Sequence, residues 1–285
     1  MKFYRYFKNY GFEALRDKKL FASKVSDFND PFELAYRLSG EITYKKAKRF
    51  MESRFNKRDF YEHTKLLYPN KVKNERDYKI YIRRNKKLLI DNFFKNYRSL
   101  SEIDLREAAC RNARCICFTA FDVEPMDEIL LWSHYADSHK GIRIGIEFSI
   151  EENPVYLMKK IDYQSERIQL DLTEGIESKI AQDSLKKLTS TKSNAWRYEK
   201  EYRLTAPCHK CEKIKDSKGN WIFFFPIPEN SVLGVDFGLR CDEKEKSKIT
   251  NLVRSEYPSV ILRQAEYHKE NFELFYKPID LSPTN

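Results

Sequence analysis

The stretch "WRYEKEYRL", residues 196–204, sets two glutamates one residue apart among aromatics and arginines. Read as a strand, it points Glu199 and Glu201 to the same side, because strand side chains alternate faces. Two carboxylates on one face, with Trp196 and Tyr198 beside them, suit a reactive centre. The same pattern suits a surface strand whose acids pair with Arg197, Arg203 or a neighbour, each pair worth about 0.2–1 kcal/mol. What the chain places around this strand decides between the two.

Outward from it, other segments alternate as strands do: "KFYRYF" at 2–7, "LFAS" at 20–23, "RCICFTAF" at 114–121 and "GIRIGIEF" at 141–148. "WIFFFPI" returns after the turn "DSKGN" at 216–220, "SVLGVDFGLR" at 231–240 is a strand and turn, and "SVILRQAEY" and "NFELFYKPI" close the series. Helical patterns cover "GFEALRDKK" at 11–19, "EILLWSHYADSHKG" at 128–141, which runs into a glycine turn, and 173–188. A further helix at 242–257 carries acids at its start, as the macrodipole favours. "DFNDPFE" at 27–33 is a turn-rich loop made by Asn29, Asp30 and Pro31. Strands and helices without regular β-α-β alternation predict one α+β domain with a mixed or antiparallel sheet.

The formal charge of +10 is concentrated. Residues 45–98 hold 18 Lys and Arg against 6 Asp and Glu, so the rest of the chain sums to about −2. With no Gly, one Pro and apolar residues three or four apart, this stretch predicts a basic helical insertion at 41–108. It reads as a solvated helical face or as a surface for nucleic acid, where Lys and Arg displace counterions from phosphates.

Other patterns restrict the function. The chain has only 8 Gly and no Walker-type or dinucleotide-type glycine fingerprint. "MKFYRYFKNY" lacks the apolar core of a signal peptide, and no apolar run approaches the ~18 residues of a membrane span, so a cytoplasmic protein with no membrane association is expected. Six cysteines in such a chain read as reduced thiols; "CHKC" at 208–211 is half of a zinc pattern without its second C-x-x-C. His134 and His139 are five apart, one beyond the spacing that puts two ligands on one helix face. No metal site is expected. His134 is a candidate pocket acid–base or hydrogen-bond donor, or a histidine packed near the core.

The series "YRYF", "LFAS…DFNDPFE", "CICFT", "LLWSHYADSHKGIRIGIEF", "WRYEKEYRL" and "VDFGLR" resembles the bacterial family known as domain of unknown function 2971, from the N-terminus to about residue 245. The order of parts is also similar to the ADP-ribosyltransferase superfamily: a first strand bearing Arg, a strand with a small hydroxyl residue, and a late Glu-x-Glu. That resemblance implies a split β-sheet core and the use of NAD as substrate. Arg5, or its neighbours Tyr4 and Tyr6, would bind its pyrophosphate or ribose. Ser23 or Thr119 fills the middle position. Tyr135 or Trp132 would stack on nicotinamide, although Trp132 suits core packing better; Arg203, and Asn29 and Asp30 if their turn borders the pocket, would help hold the substrate. Glu201 would stabilise the oxocarbenium-like transition state, and Glu199 would orient or deprotonate the acceptor.

The implied activity is ADP-ribosyl transfer to nucleic acid by a bacterial toxin or phage-defence effector, a class in which an antitoxin or regulatory protein is an expected partner. Two other classes fit the residues: a metal-dependent nuclease using Asp30, His134, Glu199 and Glu201, and a non-enzymatic module that binds nucleic acid or senses a partner.

Overall fold

The computed structural model describes residues 1–8, 10–38, 43–99, 113–148, 157–170 and 179–279. In chain order the first strands are β1 (Lys2–Phe7), β2 (Lys19–Ala22), β3 (Tyr36–Leu38), β4 (Ala113–Ala120) and β5 (Ile142–Glu147). Next come β6 (Leu157–Lys160), β7 (Asp162–Gln164), β8 (Ile168–Leu170), β9 (Thr191–Ser193) and β10 (Glu201–Pro207). The last are β11 (Glu212–Lys215), β12 (Trp221–Pro226), β13 (Val232–Phe237), β14 (Ile261–Tyr267) and β15 (Leu274–Pro278). The helices are α1 (Gly11–Arg16), α2 (Tyr44–Arg54), α3 (Arg58–Leu67), α4 (Glu75–Ser99), α5 (Pro125–Tyr135), α6 (Lys179–Leu188) and α7 (Glu243–Glu256).

Two compact units result, both discontinuous in sequence. One comprises Met1–Glu33, Arg106–Ser165 and Ser190–Asn285; the other comprises Leu34–Leu105 and Glu166–Thr189. The basic insertion expected at 41–108 falls largely in the second unit, which also takes in 166–189. The link is backbone pairing: β3 runs parallel to β8 from Tyr36–Ile168 to Leu38–Leu170. Helices α2, α3 and α4 supply that unit's own core, where Met51, Phe55 and Ile90 are buried. Of the helix expected at 173–188, the described part is α6; the rest lies outside the described residues.

The first unit is built on a mixed eight-stranded sheet ordered β15-β14-β13-β5-β1-β4-β10-β6. Together with its helices this makes the molecule α+β. β5, "IRIGIE", lies between β1 and β13 and is almost wholly buried, as a β-branched run paired on both sides should be. Within this sheet β13 and β14 are parallel neighbours, and α7 connects them. Asp242 caps α7 by accepting from the Lys244 and Glu245 amides, and Ile249 and Val253 face a core of Phe3, Phe7, Ile144 and Phe237. A separate three-stranded sheet, β11-β12-β2, comes from the expected hairpin around Gly219.

One irregularity shapes everything that follows. β4 pairs with β10 along seven residues, but with β1 only at Phe3–Ala120 and Tyr4–Thr119. Beyond that the two strands part, and the free edge of β4 is met instead by a bridge between Ser23 and Cys115. Parted strands leave carbonyls that need donors. Arg5 supplies them, donating from Nη1 to the Cys117 carbonyl at 3.0 Å and from Nη2 to the Phe21 carbonyl at 3.3 Å.

Candidate active site

A cleft of about 260 Å³ opens where β1 and β4 part. That is near the small end of ligand sites, which run ~300–1,000 Å³. Arg5, Tyr4 and Tyr6 line it from β1, and Cys115, Cys117 and Thr119 from β4. Ser23 and Asn29 come from the segment after β2, and His134 and Tyr135 from the last turn of α5. Lys192, Glu199 and Glu201 line it too, as do the charged side chains of Lys8 and Asp27. Both hydroxyl candidates are present, Thr119 directly opposite both Tyr4 and Glu201 in the sheet register.

"WRYEKEYRL" is not one strand. Asn194–Glu199 is a 3-10 helix, Lys200 is left-handed with φ 42°, and β10 begins only at Glu201. The two carboxylates nonetheless meet, because the kink at Lys200 returns Glu199 towards the start of the strand. Both accept from the Lys192 ammonium, at 2.6 Å from Glu199 and 3.1 Å from Glu201. Arg203 Nε donates to Glu201 Oε1 at 2.6 Å, and its Nη1 and Nη2 hold Glu33 in a fork at 2.6 and 2.8 Å. On the other side Tyr135 donates to Glu199 Oε1 and accepts from Asn29 Nδ2 at 3.2 Å. The result is a chain of alternating groups, buried from Glu33 to Glu199 and reaching the surface at Asn29: Glu33, Arg203, Glu201, Lys192, Glu199, Tyr135, Asn29.

Three carboxylates share two cations in this chain, so the acids are unequal. Burial pushes the Glu201 carboxyl up, but Arg203 and Lys192 outweigh it and hold it down at about 2. Burial pushes Glu199 up as well; Lys192 pulls it down, the Glu201 charge pushes it up again, and it comes to rest at about 7. Burial also disfavours the charge on Lys192, yet Glu201 and Glu199 keep its ammonium protonated well beyond its ordinary range. Adjacent carboxyls driven apart in this way divide into a permanent anion and a group able to exchange protons near neutrality.

Residues 131–204 match a family model. Its description reads "Protein of unknown function (DUF2971)". The matched stretch is about a quarter of the chain, narrower than the resemblance read from the sequence, and includes Tyr135, Lys192, Glu199 and Glu201. No curated protein and no solved structure matches the chain.

Against this geometry three expected ligand-binding residues need correcting. Trp132 is 0% exposed; its ring meets Tyr6 edge-on and its Nε1 donates to Tyr276 at 2.9 Å, so no face is free to stack on a ligand. Arg203 is 2% exposed and absent from the cleft lining, with its guanidinium committed to Glu33 and Glu201. Asp30 is 1% exposed and also outside the lining; its Oδ1 accepts from the Phe32 amide at 2.8 Å, as an aspartate before proline does in a turn. Among the described residues no group of three or more His, Cys, Asp or Glu is placed to hold a metal ion.

Lys192 and Glu33 are functional neighbours that sequence reading missed. In "TSTKSNAW" Lys192 looks like an ordinary surface lysine, since lysine is almost never buried unless paired. Its only signal is position, seven residues before Glu199. No helix among the described residues is long and apolar enough to cross a membrane.

Proposed function

We propose that the cleft is the site of an NAD-dependent ADP-ribosyltransferase acting on nucleic acid, an effector of the toxin or phage-defence kind. The observation that carries this reading is convergence. Arg5, the hydroxyls of Ser23 and Thr119, and the pair Glu199 and Glu201 come from four separate stretches of chain and line one cleft. A sheet that opens beside its first strand supports the likeness to the transferase core.

The residues fit the substrate's parts. Arg5 sets its guanidinium at the cleft wall, where its charge favours a ribose or phosphate oxygen. Tyr4, Tyr6, Tyr10 and Phe28 give the cleft aromatic walls, and 260 Å³ suits the nicotinamide-ribose half of the dinucleotide. In the reaction the bond from ribose C1′ to the nicotinamide nitrogen breaks, neutral nicotinamide leaves, and C1′ bonds to the acceptor's nucleophilic atom. With Glu199 ionised, the chain from Glu33 to Glu199 carries one net negative charge beside the cleft, which favours an oxocarbenium-like transition state. Glu199, near 7, then takes the acceptor's proton. Glu201 stays ionised and fixes Lys192, while the acid–base role stays with Glu199, the first glutamate of the pair.

The nuclease alternative is less well supported, because the carboxylates it needs are already neutralised by Lys192 and Arg203, and Asp30 lies away from the cleft. The test is release of nicotinamide from NAD, with and without RNA or DNA oligonucleotides, in the native protein and Glu199→Gln. Oligonucleotide-dependent release that Glu199→Gln abolishes is expected. Full turnover in Glu199→Gln, or no release with any acceptor, sinks the assignment.

A further inference from the structure

The second unit has a cleft of its own, about 510 Å³, whose walls are the start of α3 and one face of α4. On α4 the lining residues Glu75, Lys79, Ile82, Arg83 and Lys86 recur at helical spacing, so they form one stripe. Facing it are Lys57, Arg58 and Tyr61. Five cations therefore surround a concavity that contains one carboxylate.

Two of these five cations, Lys86 and Arg58, are already paired with acids of this stretch. Glu52 pairs with Lys86 at 2.8 Å, Asp59 with Arg54, and Glu62 with Arg58 at 3.5 Å. Asp77 accepts from the Lys73 amide and Asp91 from the Tyr44 hydroxyl. Lys57, Lys79 and Arg83 are left without a carboxylate partner among the described residues. Lys79 and Arg83 are four apart on one helix face, where like charges repel. A helix that keeps such neighbours around a hollow has put its positive potential where a polyanion's counterions would be displaced. The floor is not ionic: the Tyr61 ring meets Tyr78 edge-on at 5.2 Å, Ile82 lies alongside, and the Tyr78 hydroxyl is tied to the Phe55 carbonyl at 2.8 Å.

We propose that this cleft binds a single-stranded nucleic acid, its phosphates on Lys57, Lys79 and Arg83 and a base against Tyr61. The cationic rim selects the backbone, and the aromatic floor selects a base whose face is exposed, which a duplex does not offer. The inference rests on the reading of nucleic acid as acceptor and names where that acceptor is gripped.

The test is fluorescence anisotropy of short labelled RNA and DNA single strands, with the full-length protein and no NAD, between about 50 and 200 mM salt. The native chain is expected to bind single strands at least tenfold more tightly than the matching duplex. Lys79→Ala/Arg83→Ala is expected to weaken binding at least tenfold and to make the slope of log affinity against log salt shallower by about 1.4. Tyr61→Ala is expected to weaken binding with the slope unchanged. Lys213→Ala/Lys215→Ala, which strips the cations flanking exposed Trp221, is the comparison for a rival surface. Unchanged affinity and slope in Lys79→Ala/Arg83→Ala, loss only in the Lys213/Lys215 variant, or equal binding of duplex and single strand overturns the proposal. Because no NAD is present, failure of the transferase reading would appear separately, as intact binding without nicotinamide release.

Discussion

Two buried arginines lie in the same sheet unit and do different things. Arg143 is sandwiched between the rings of Tyr4 at 3.9 Å and Tyr276 at 4.2 Å, with Glu128 and Asp236 as its carboxylates. Arg263 also pairs with Asp236, so two anions meet two cations. Arg203 and Lys192 must instead serve three carboxylates, Glu33, Glu201 and Glu199. A balanced cluster closes on itself and acts as a rivet. An unbalanced one leaves a carboxyl whose proton is negotiable, and here that carboxyl lines a cleft. Tyr6 lines the cleft and also accepts from Arg143 at 3.3 Å, so the rigid cluster supports a wall of the titrating one.

The hardest way to break this contrast is Arg203→Met, which leaves Glu33 and Glu201 buried without their fork. The expected loss is about 3–5 kcal/mol of unfolding free energy in urea. A loss near zero would mean the arginine does not hold the carboxylates together.

The next largest effect is pH-dependent. Glu199 sits at about 7 in the folded chain against an ordinary 4.5. Between those values the folded state holds a proton that the unfolded state has released. The stability this confers is full below about 4.5 and is lost as pH rises through 7, on the order of 3 kcal/mol in all. Glu201, held at about 2, works the other way: its contribution is present above about 4.5 and lost as pH falls towards 2. Glu199→Gln should flatten the first window and leave the second. If unfolding midpoints between pH 4.5 and 7 have the same slope in both proteins, Glu199 is not the odd carboxyl.

Trp132→Phe probes the balanced side. It removes the donor to Tyr276 and some packing, costing about 1–2 kcal/mol by thermal unfolding, with nicotinamide release unaltered at temperatures where the variant is folded. A fall in turnover there would reinstate Trp132 as a ligand contact. The mildest change is Tyr135→Phe. Losing the hydroxyl that favours ionised Glu199 should move the acid limb of the pH–rate profile up by about half a unit to one unit. An unmoved limb would separate Tyr135 from the working group.

The sequence made some of this visible and hid the rest for physical reasons. β1, β4, β5 and α7 were readable because their apolar spacing matches what the core demands. Lys200 was not: a lysine in the left-handed region has neither the glycine nor the asparagine that advertises a turn. The glutamate pair was recognised, but the strand drawn through it stopped short of explaining how the two acids meet. Trp132, Arg203 and Asp30 read as ligand residues because residue type shows chemistry and not depth. Glu33 stayed hidden because its partner lies 170 residues away.

That distance has a consequence for how the protein is made. Arg5 reaches the Cys117 carbonyl across 112 residues, and Glu33 waits for Arg203 across 170. Chains emerge from the ribosome N-terminus first, and distant contacts form only after their loop is closed. A nascent chain exposes Arg5, Ser23 and His134 long before it has Lys192, Glu199 or Glu201. Its cleft lacks the glutamate pair until translation has passed residue 201. Any chemistry that needs the pair therefore waits until β10 has been made and has paired with β4.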